Sequence, residues 1–291
     1  MQVLRILLPK NTNSTWHQLV KQLSLTKPMK PFDNLSLAFV QKVSKVINAN
    51  KAAIGPELRQ LARWTSKAHL KKIYQDYERK RLNRIFLPRG VVLHFTPANV
   101  DSLFIYSWFV SLLMGNSNII RLSQNENPQI KLIIDLLNPI LKQKYFRPIR
   151  ERNLILSYGH QQEITKELSH CCNVRVIWGG DETVRRIRTI PLPPRATELV
   201  FADRFSLAAV KASTVLAAAK PEISRLVKNI YYDTLYFTQK ACFSPKLLFW
   251  IGPRRKIKSA KERFWPAMEK LAALKKIDWP EGIGIARMAT G

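Results

Sequence analysis

At 291 residues, 46% apolar and 10% aromatic, the chain is long enough to bury a substantial core in two domains of ordinary size, and its composition excludes the disordered class. Its 48 lysines and arginines against 20 acidic residues leave a net charge of +28. That excess attracts polyanions (nucleic acid, anionic lipid, a phosphate-rich cofactor) without choosing among them.

The opening "MQVLRILLPK" is too brief an apolar stretch for a secretory signal. Residues 1–85 then read as a helical N-terminal region. "LSLAFVQKVSKVI" (35–47) and "ELRQLARWTSKAHLKKIYQDYERKRL" (57–82) space their apolar positions three and four apart. From Pro88 the texture changes to short strands alternating with helices. "GVVLHF" (90–95) is a nearly continuous apolar run, as expected of a strand covered on both faces. A helix at 101–114 follows, stopped by Gly115 and Asn116, and then a strand at 118–123. That helix contains "LFIYSWFVSLLM", the most apolar segment, yet it falls short of the roughly 20 residues a membrane helix needs. No transmembrane segment is expected.

"NPQIKLIIDLLNPILKQKY" (127–145) predicts a helix kinked at Pro139, "NLILSYG" (153–159) a third strand and "QQEITKELSHCC" a helix. "VRVIWGG" (174–180) is a fourth strand ending in two glycines, before the basic "DETVRRIRTI". Strand–helix alternation with short connections predicts an α/β fold with a doubly wound parallel sheet. Further on come a helix from about Pro221 to Tyr232, the strand "KLLFWIG" and a basic helix at 258–276.

The three cysteines are Cys171, Cys172 and Cys242. Two are neighbours and the count is odd, so no disulfide framework is expected and a reducing, cytoplasmic compartment fits. "SHCCNV" lacks the spacing that puts ligands on one metal, so no metal site is expected. Neither zinc-finger spacing, an RNA-binding aromatic motif nor basic-region heptads accompany the charge, so no specific nucleic-acid role is read from it.

A sheet of this kind binds ligands at the carboxyl ends of its strands. Three segments sit there: "TPAN" with Asn99, "RLS" with Arg121 and Ser123, and "WGGDET" with Gly179, Gly180 and Glu182. Two glycines before a helix allow close backbone approach by a phosphate, although Asp181 at the helix start repels an anion and equally serves as a cap. Arg121 suits a phosphate or a surface salt bridge; Asn99 suits a turn or a carboxamide donor. On the residues alone Cys242 in "FTQKACFSPKLLFW" reads first as a small buried hydrophobe, with a nucleophile as the alternative.

The order of these segments resembles the aldehyde dehydrogenase superfamily. "PRGVVLHFTPANVDSLFIYSWFVSLLMGNSNIIRLSQNENP" matches its strand, Pro-x-Asn turn, helix to Gly-Asn, and strand ending in a basic residue and Ser. "VIWGGDETVRRI" is similar to its cofactor segment, and "DTLYFTQKACFSPKLLFW" to its nucleophile region. The particular variants look most like the long-chain acyl-CoA reductase, or LuxC-type, luminescence-type branch, over about 85–255.

The resemblance implies an aldehyde-dehydrogenase-like architecture: residues 1–85 as the helical N-terminal region, 86–205 as an NADP(H)-binding Rossmann-like domain, and 206–291 as a partial catalytic domain carrying the nucleophile. It implies Cys242 as the residue acylated by a thioester and Asn99 as an oxyanion donor. Arg121 and Ser123 would lie near the adenosine ribose and any 2′-phosphate, and Gly179, Gly180 and Glu182 would border the cofactor. Gln239 is displaced by one place from the superfamily's Gln-x-Cys. Glu198 in "TELVF" loosely matches a hydrolytic base, which a CoA reductase does not need. The implied reaction is NADPH-dependent reduction of a fatty acyl-CoA, or another acyl thioester, to the aldehyde, with NADH as the alternative cofactor. Acyl-transferase or synthetase partner subunits and a homo-oligomer are compatible with it. The superfamily's catalytic domain continues well past its nucleophile, so a chain ending at Gly291 is expected to be C-terminally truncated, and its activity alone is left open. Two alternatives stand beside this reading: an aldehyde-oxidising enzyme that uses water, and a catalytically inactive basic fragment binding nucleic acid or anionic surfaces.

Overall fold

The computed structural model describes residues 4–10, 12–50, 56–96, 103–124, 128–235 and 244–275. Two compact units divide the chain, Met1–Asp203 and Arg204–Gly291.

The first unit opens with β1 (Arg5–Leu8), a strand inside a stretch whose helical periodicity predicts helices alone. Its sequence, Arg-Ile-Leu-Leu, is too short to carry a period, and pairing with a distant strand decides its conformation. α1 (Trp16–Leu25) starts at Thr15, whose hydroxyl accepts from Gln18 N while the Gln18 side chain accepts from Thr15 N, a capping box. α2 (Asn34–Ala49) is capped by Asp33, which accepts from Leu35 N. α3 (Pro56–Trp64) and α4 (Lys67–Arg81) follow.

The alternating part then runs β2 (Val91–Phe95), α5 (Leu103–Leu113), β3 (Ser117–Leu122), α6 (Pro128–Lys142), α7 (Arg147–Arg150), β4 (Asn153–Ser157), α8 (Gln162–His170), β5 (Val174–Trp178), α9 (Asp181–Arg188) and β6 (Thr197–Phe201). Pro139 lies inside α6. The strands form one sheet in the order β1-β4-β3-β2-β5-β6. β2 to β6 are mutually parallel, and β1 adds antiparallel to β4, so the sheet is mixed at that edge. The chain winds from β2 outward through β3 to β4, then returns to build β5 and β6 on the other side of β2. That reversal makes a crevice at the carboxyl ends of β2 and β5.

Both faces of β2 to β5 are covered, which is why these strands are buried at consecutive positions, whereas β6 at the edge leaves Leu199 and Phe201 exposed. On one face Ile120, Leu122 and Ile155 pack with Phe39 of α2, Trp108 and Leu112 of α5 and Ile133 of α6. On the other, Leu93, Ile119 and Leu154 pack with Val20 and Leu23 of α1, Leu168 of α8 and Val184 of α9. The strongly apolar α5 is therefore a core helix. Its one exposed stripe is Tyr106 and Val110.

The end of α5 depends on Gly115, whose φ of +84° lies in the left-handed region. An added Cβ there would sit against the Met29 carbonyl. The adjoining Asn116 Oδ1 accepts from Arg89 N and Gly90 N, at 2.7 and 3.2 Å, and so fixes the entry to β2.

The second unit contains β7 (Leu207–Lys211), α10 (Ala212–Ala217), α11 (Lys220–Thr234), β8 (Leu247–Ile251) and α12 (Arg254–Lys275). β7 and β8 pair in parallel. Val210, Val215, Val227, Tyr231, Phe264 and Met268 form its core. Arg263 closes the end of α10 by donating to the carbonyls of Val215, Leu216 and Ala218.

Candidate functional site

Of the three strand-end segments predicted to carry the chemistry, those after β3 and β5 lie among the described residues. The backbone carbonyl of Arg121, at the end of β3, accepts from the Thr96 hydroxyl at 3.1 Å, which ties the exit of β2 to its neighbour. The Arg121 guanidinium turns across the exit of β4. Its Nη2 donates to the carbonyls of Tyr158 (2.8 Å) and Gly159 (2.6 Å), and its carbon lies 5.2 Å from the centre of the Tyr158 ring. Arg121 Nε is buried with no acceptor, and the buried Gln161 Oε1 has no donor. Burial, and then the nearby Arg186, lower the proton affinity of Arg121. His160 follows Gly159, and its imidazole is held below its ordinary titration range first by Arg186, then by burial and by Arg121. Arg121 of β3 and Arg186 of α9 thus lie near enough to His160 of the β4–α8 loop for their charge to favour its neutral form. Among the described residues no carboxylate forms an ion pair with any of them.

Gly179 and Gly180 lead from β5 into α9, with Gly180 as its N-cap. A Cβ on Gly180 would stand 3.0 Å from Asp203 Oδ2, so a side chain there would need Asp203 to move. Glu182 is exposed in the first turn of α9. Ser123 lies just past β3, its carbonyl accepting from the Ser157 hydroxyl at 3.1 Å. Trp178, the last residue of β5, stacks on Phe201 of β6 with ring centres 3.8 Å apart and planes 9° from parallel.

Behind Trp178 runs a buried polar chain. Trp178 Nε1 donates to Ser107 Oγ (3.0 Å), which lies 2.8 Å from His94 Nδ1. His94 Nε2 lies 3.1 Å from Asn118 Oδ1. Asn118 Nδ2 donates to Asn116 O and Asn153 Oδ1, and Asn153 Oδ1 also accepts from Trp108 Nε1 at 2.6 Å. With the Asn118 amide nitrogen engaged, its oxygen must accept from His94 Nε2, so Nδ1 accepts from the serine hydroxyl. Every group has its partner only if the imidazole is neutral. Burial accordingly lowers the titration of His94 to about 4, against a smaller opposing contribution from Asn118.

Glu198, on β6, is tied into an ion-pair cluster. One of its oxygens accepts from Arg175, whose side chain is only 3% exposed, and the other accepts from Arg188. Cys172 is buried, donates weakly to Ser169 O at 3.2 Å, and is pushed up to about 12 by that burial. Cys171 is exposed. No group of three or more potential metal ligands occurs among the described residues, and no described helix is long and apolar enough to cross a membrane. Asn99, Gln239 and Cys242 lie outside the described residues.

The acyl-CoA reductase (LuxC) family profile matches residues 37–278, most of the chain. The chain belongs to that family. Among curated relatives, a long-chain acyl-protein thioester reductase of Photobacterium leiognathi is 25% identical over 168 residues, covering 57% of this chain and 33% of the relative. One from Aliivibrio fischeri is 25% identical over 171 residues with the same coverages. The matched region thus spans about a third of the length of these relatives. The fold is that of the aldehyde dehydrogenases. An aldehyde dehydrogenase from Bacillus cereus superposes with a TM-score of 0.60 at 12% identity, over 88% of this chain and 54% of that one. Aldehyde dehydrogenase 21 from Physcomitrella patens gives 0.59 at 12%, over 87% and 56%. PnpE in complex with nicotinamide adenine dinucleotide gives 0.57 at 15%, over 85% and 53%.

Within this LuxC-family chain, the structure brings Arg121 and Ser123 to the exit of β3, and Gly179, Gly180 and Glu182 to the exit of β5. Glu198 is held apart from them in its arginine cluster. His160 follows the exit of β4 and Arg186 stands on α9; neither carries a motif in the sequence.

Proposed function

We propose that the chain carries the cofactor-binding unit and the nucleophile of an acyl-thioester reductase that forms long-chain aldehydes with NADPH. The observation that carries this reading is the basic, glycine-bordered crevice at the β2/β5 switch point in a chain of the acyl-CoA reductase family. The residues present fit a nicotinamide dinucleotide. Glycines at 179 and 180 keep side chains off the turn into α9, and Arg121 holds a guanidinium at the exits of β3 and β4. Arg121, Ser123, Gly179, Gly180 and Glu182 would hold it. A bound reduced nicotinamide supplies a hydride to the acyl carbon; the remaining chemistry belongs to the protein.

The Cys242 thiolate attacks the carbonyl carbon of the acyl thioester. The new S–C bond forms first, leaving an oxyanion on the former carbonyl oxygen; its collapse breaks the old S–C bond and expels the substrate as a thiolate that takes its proton from water, in an exchange of nearly balanced energy. After hydride arrives at the thioacyl carbon, the Cys242 S–C bond breaks, releasing aldehyde and restoring the thiolate. Each transfer passes through an oxyanion, for which the Asn99 amide is the donor in this reading. An acyl-CoA and an acyl-protein thioester present the same carbonyl to Cys242, so both are candidate substrates.

The test is incubation of the whole chain with an isotope-labelled long-chain acyl-CoA in the absence of nicotinamide, followed by peptide mass analysis. Acylation confined to the Cys242 peptide and absent from Cys242→Ala is expected. Acylation that persists in Cys242→Ala, or a folded chain that takes up no label, would remove Cys242 as the acyl acceptor.

A further inference from the structure

α4 ends at Arg81, and residues 82–89 carry the chain on toward β2 without regular helix or strand. Leu82, Ile85 and Leu87 of this connector are 83%, 88% and 74% exposed, although each is a large aliphatic. Interleaved with them, residues 78–89 carry five cations, Arg79, Lys80, Arg81, Arg84 and Arg89, against the single carboxylate Glu78. Single exposed apolar side chains are ordinary. Three within one short connector, mixed with positive charge, mark a contact surface.

The connector is held in place. Arg84 N donates to the Arg81 carbonyl at 3.4 Å, continuing the turn past α4. The Phe86 ring packs on Tyr77 of α4 with centres 5.3 Å apart, and Tyr77 in turn lies 4.8 Å from the buried Phe32. Arg89 donates to the Arg195 carbonyl, ahead of β6, at 3.5 Å. Phe86 is thus fixed on α4 while Ile85 and Leu87, on either side of it in the chain, are left to solvent. Arg79 and Arg81 pair with Asp76 and Glu78 and suit the negative end of the helix dipole. Lys80 and Arg84 are exposed, and among the described residues no carboxylate is ion-paired with either.

We infer that the segment from Lys80 to Arg89 is a peripheral docking face for an anionic lipid surface. Its aliphatic side chains would enter the boundary between headgroups and acyl chains, and its cations would rest on the lipid phosphates. Charge complementarity sets the sign of the occupant. The aliphatic side chains set its class, because nucleic-acid surfaces are gripped by cations and by aromatic rings that stack on bases, and Leu82, Ile85 and Leu87 offer neither. Three aliphatics and a few cations give reversible attachment in the interface. Where long-chain acyl thioesters are the substrates, such attachment keeps the chain beside the phase that takes up their aldehydes. The lipid contact itself involves no thioester, so it stands or falls separately from the reductase reading.

The experiment is flotation of the whole chain with vesicles of equal parts phosphatidylglycerol and phosphatidylcholine, and with vesicles of phosphatidylcholine alone. The wild type is compared with Leu82→Ser/Ile85→Ser/Leu87→Ser, with Lys80→Gln/Arg84→Gln, and with Arg255→Gln/Lys256→Gln, a charge-matched change on α12. All the substitutions fall on exposed side chains, and circular dichroism with urea unfolding checks that the variants fold. The wild type should bind the anionic vesicles about tenfold or more tighter than the neutral ones. The triple variant should lose about tenfold or more of that affinity with the buried aliphatic area. Lys80→Gln/Arg84→Gln should lose roughly tenfold at low salt, and Arg255→Gln/Lys256→Gln much less. Absence of binding to anionic vesicles overturns the inference, as does a triple variant that binds like the wild type. Equal losses from the two charge variants would trace the attraction to the overall charge of +28 and overturn the assigned face. Light scattering without vesicles tests a second copy as the occupant: a wild-type dimer that the triple variant turns into a monomer, with vesicle binding unchanged, overturns the lipid assignment. Titration with duplex DNA tests nucleic acid, and a triple variant that loses DNA affinity as strongly as vesicle affinity overturns it too.

Discussion

Lowering the pH should destabilise the first unit through His94. This imidazole is 1% exposed in the middle of β2, and burial brings its titration from 6.5 to about 4. In the unfolded chain it takes up a proton below about 6.5, whereas the folded chain stays neutral there. Folding stability is therefore complete above that value and is lost as pH falls through the window from 6.5 to about 4. At pH 5 the loss is about 2 kcal/mol, rising to about 3 kcal/mol below the folded value. The polar chain explains why the folded state resists the proton. A second N–H on the ring would face Ser107 Oγ, which already accepts from Trp178, and the serine proton would lose its acceptor. The assay is urea unfolding at pH 7 and pH 5, followed by hydrogen exchange at the β2 and β3 amides, in wild type and His94→Gln. Glutamine can still pair with Ser107 and Asn118 but does not titrate. The variant should lack about 2 kcal/mol of the wild-type difference between the two pH values. Equal pH dependence in both proteins would refute the argument, because the proton uptake would then belong to other groups.

Gly115→Ala should be severe. It places a Cβ at a positive φ and against the Met29 carbonyl, with an expected loss of about 2 kcal/mol or more in chemical denaturation. Asn99→Ala should leave labelling of Cys242 detectable while slowing aldehyde formation by about 10²–10³, the usual effect of losing one oxyanion donor. An unchanged single-turnover rate would discharge Asn99 from that role.

The alternation of strands and helices from β2 to β5 was legible because both faces of the sheet are covered. Runs such as Val91–Phe95 must then be apolar at nearly every position, His94 excepted, and the helices between them must bury one side. β1 was not legible. Its four residues contain no period, and what makes them a strand is β4, far along the chain. The site was legible in the same uneven way. Gly179-Gly180 and Arg121 stand at strand ends, where the chain itself marks the position. His160 and Arg186 carry no such mark, and nothing local distinguishes them from the many other basic residues of a +28 chain. His94 hides for the opposite reason: a lone histidine in an apolar strand discloses its role only when Ser107 and Asn118 arrive from α5 and β3.

Glu198 separates the two enzymatic readings. An aldehyde-oxidising enzyme needs a carboxylate free to take a proton from water, and the sequence offers Glu198 for that task. In the fold both its oxygens accept from guanidinium groups, and one of these, Arg175, has almost no access to solvent. Arg175 also donates to the Ile190 carbonyl, at 2.8 Å, just past the end of α9. The cluster therefore joins β5 and β6 to the segment after α9, and removing the carboxylate would strand a buried cation. Glu198→Ala should lower the stability of the first unit by about 3 kcal/mol, the scale for breaking a buried pair from one side. Acylation of Cys242 per folded molecule should be unchanged. The measurement is urea unfolding alongside the labelling assay and a water-dependent deacylation assay. Unaltered stability with deacylation abolished would restore Glu198 as a hydrolytic base and turn the reading toward aldehyde oxidation. Lost stability with deacylation untouched leaves the acyl-enzyme to be resolved by hydride, as a reductase requires.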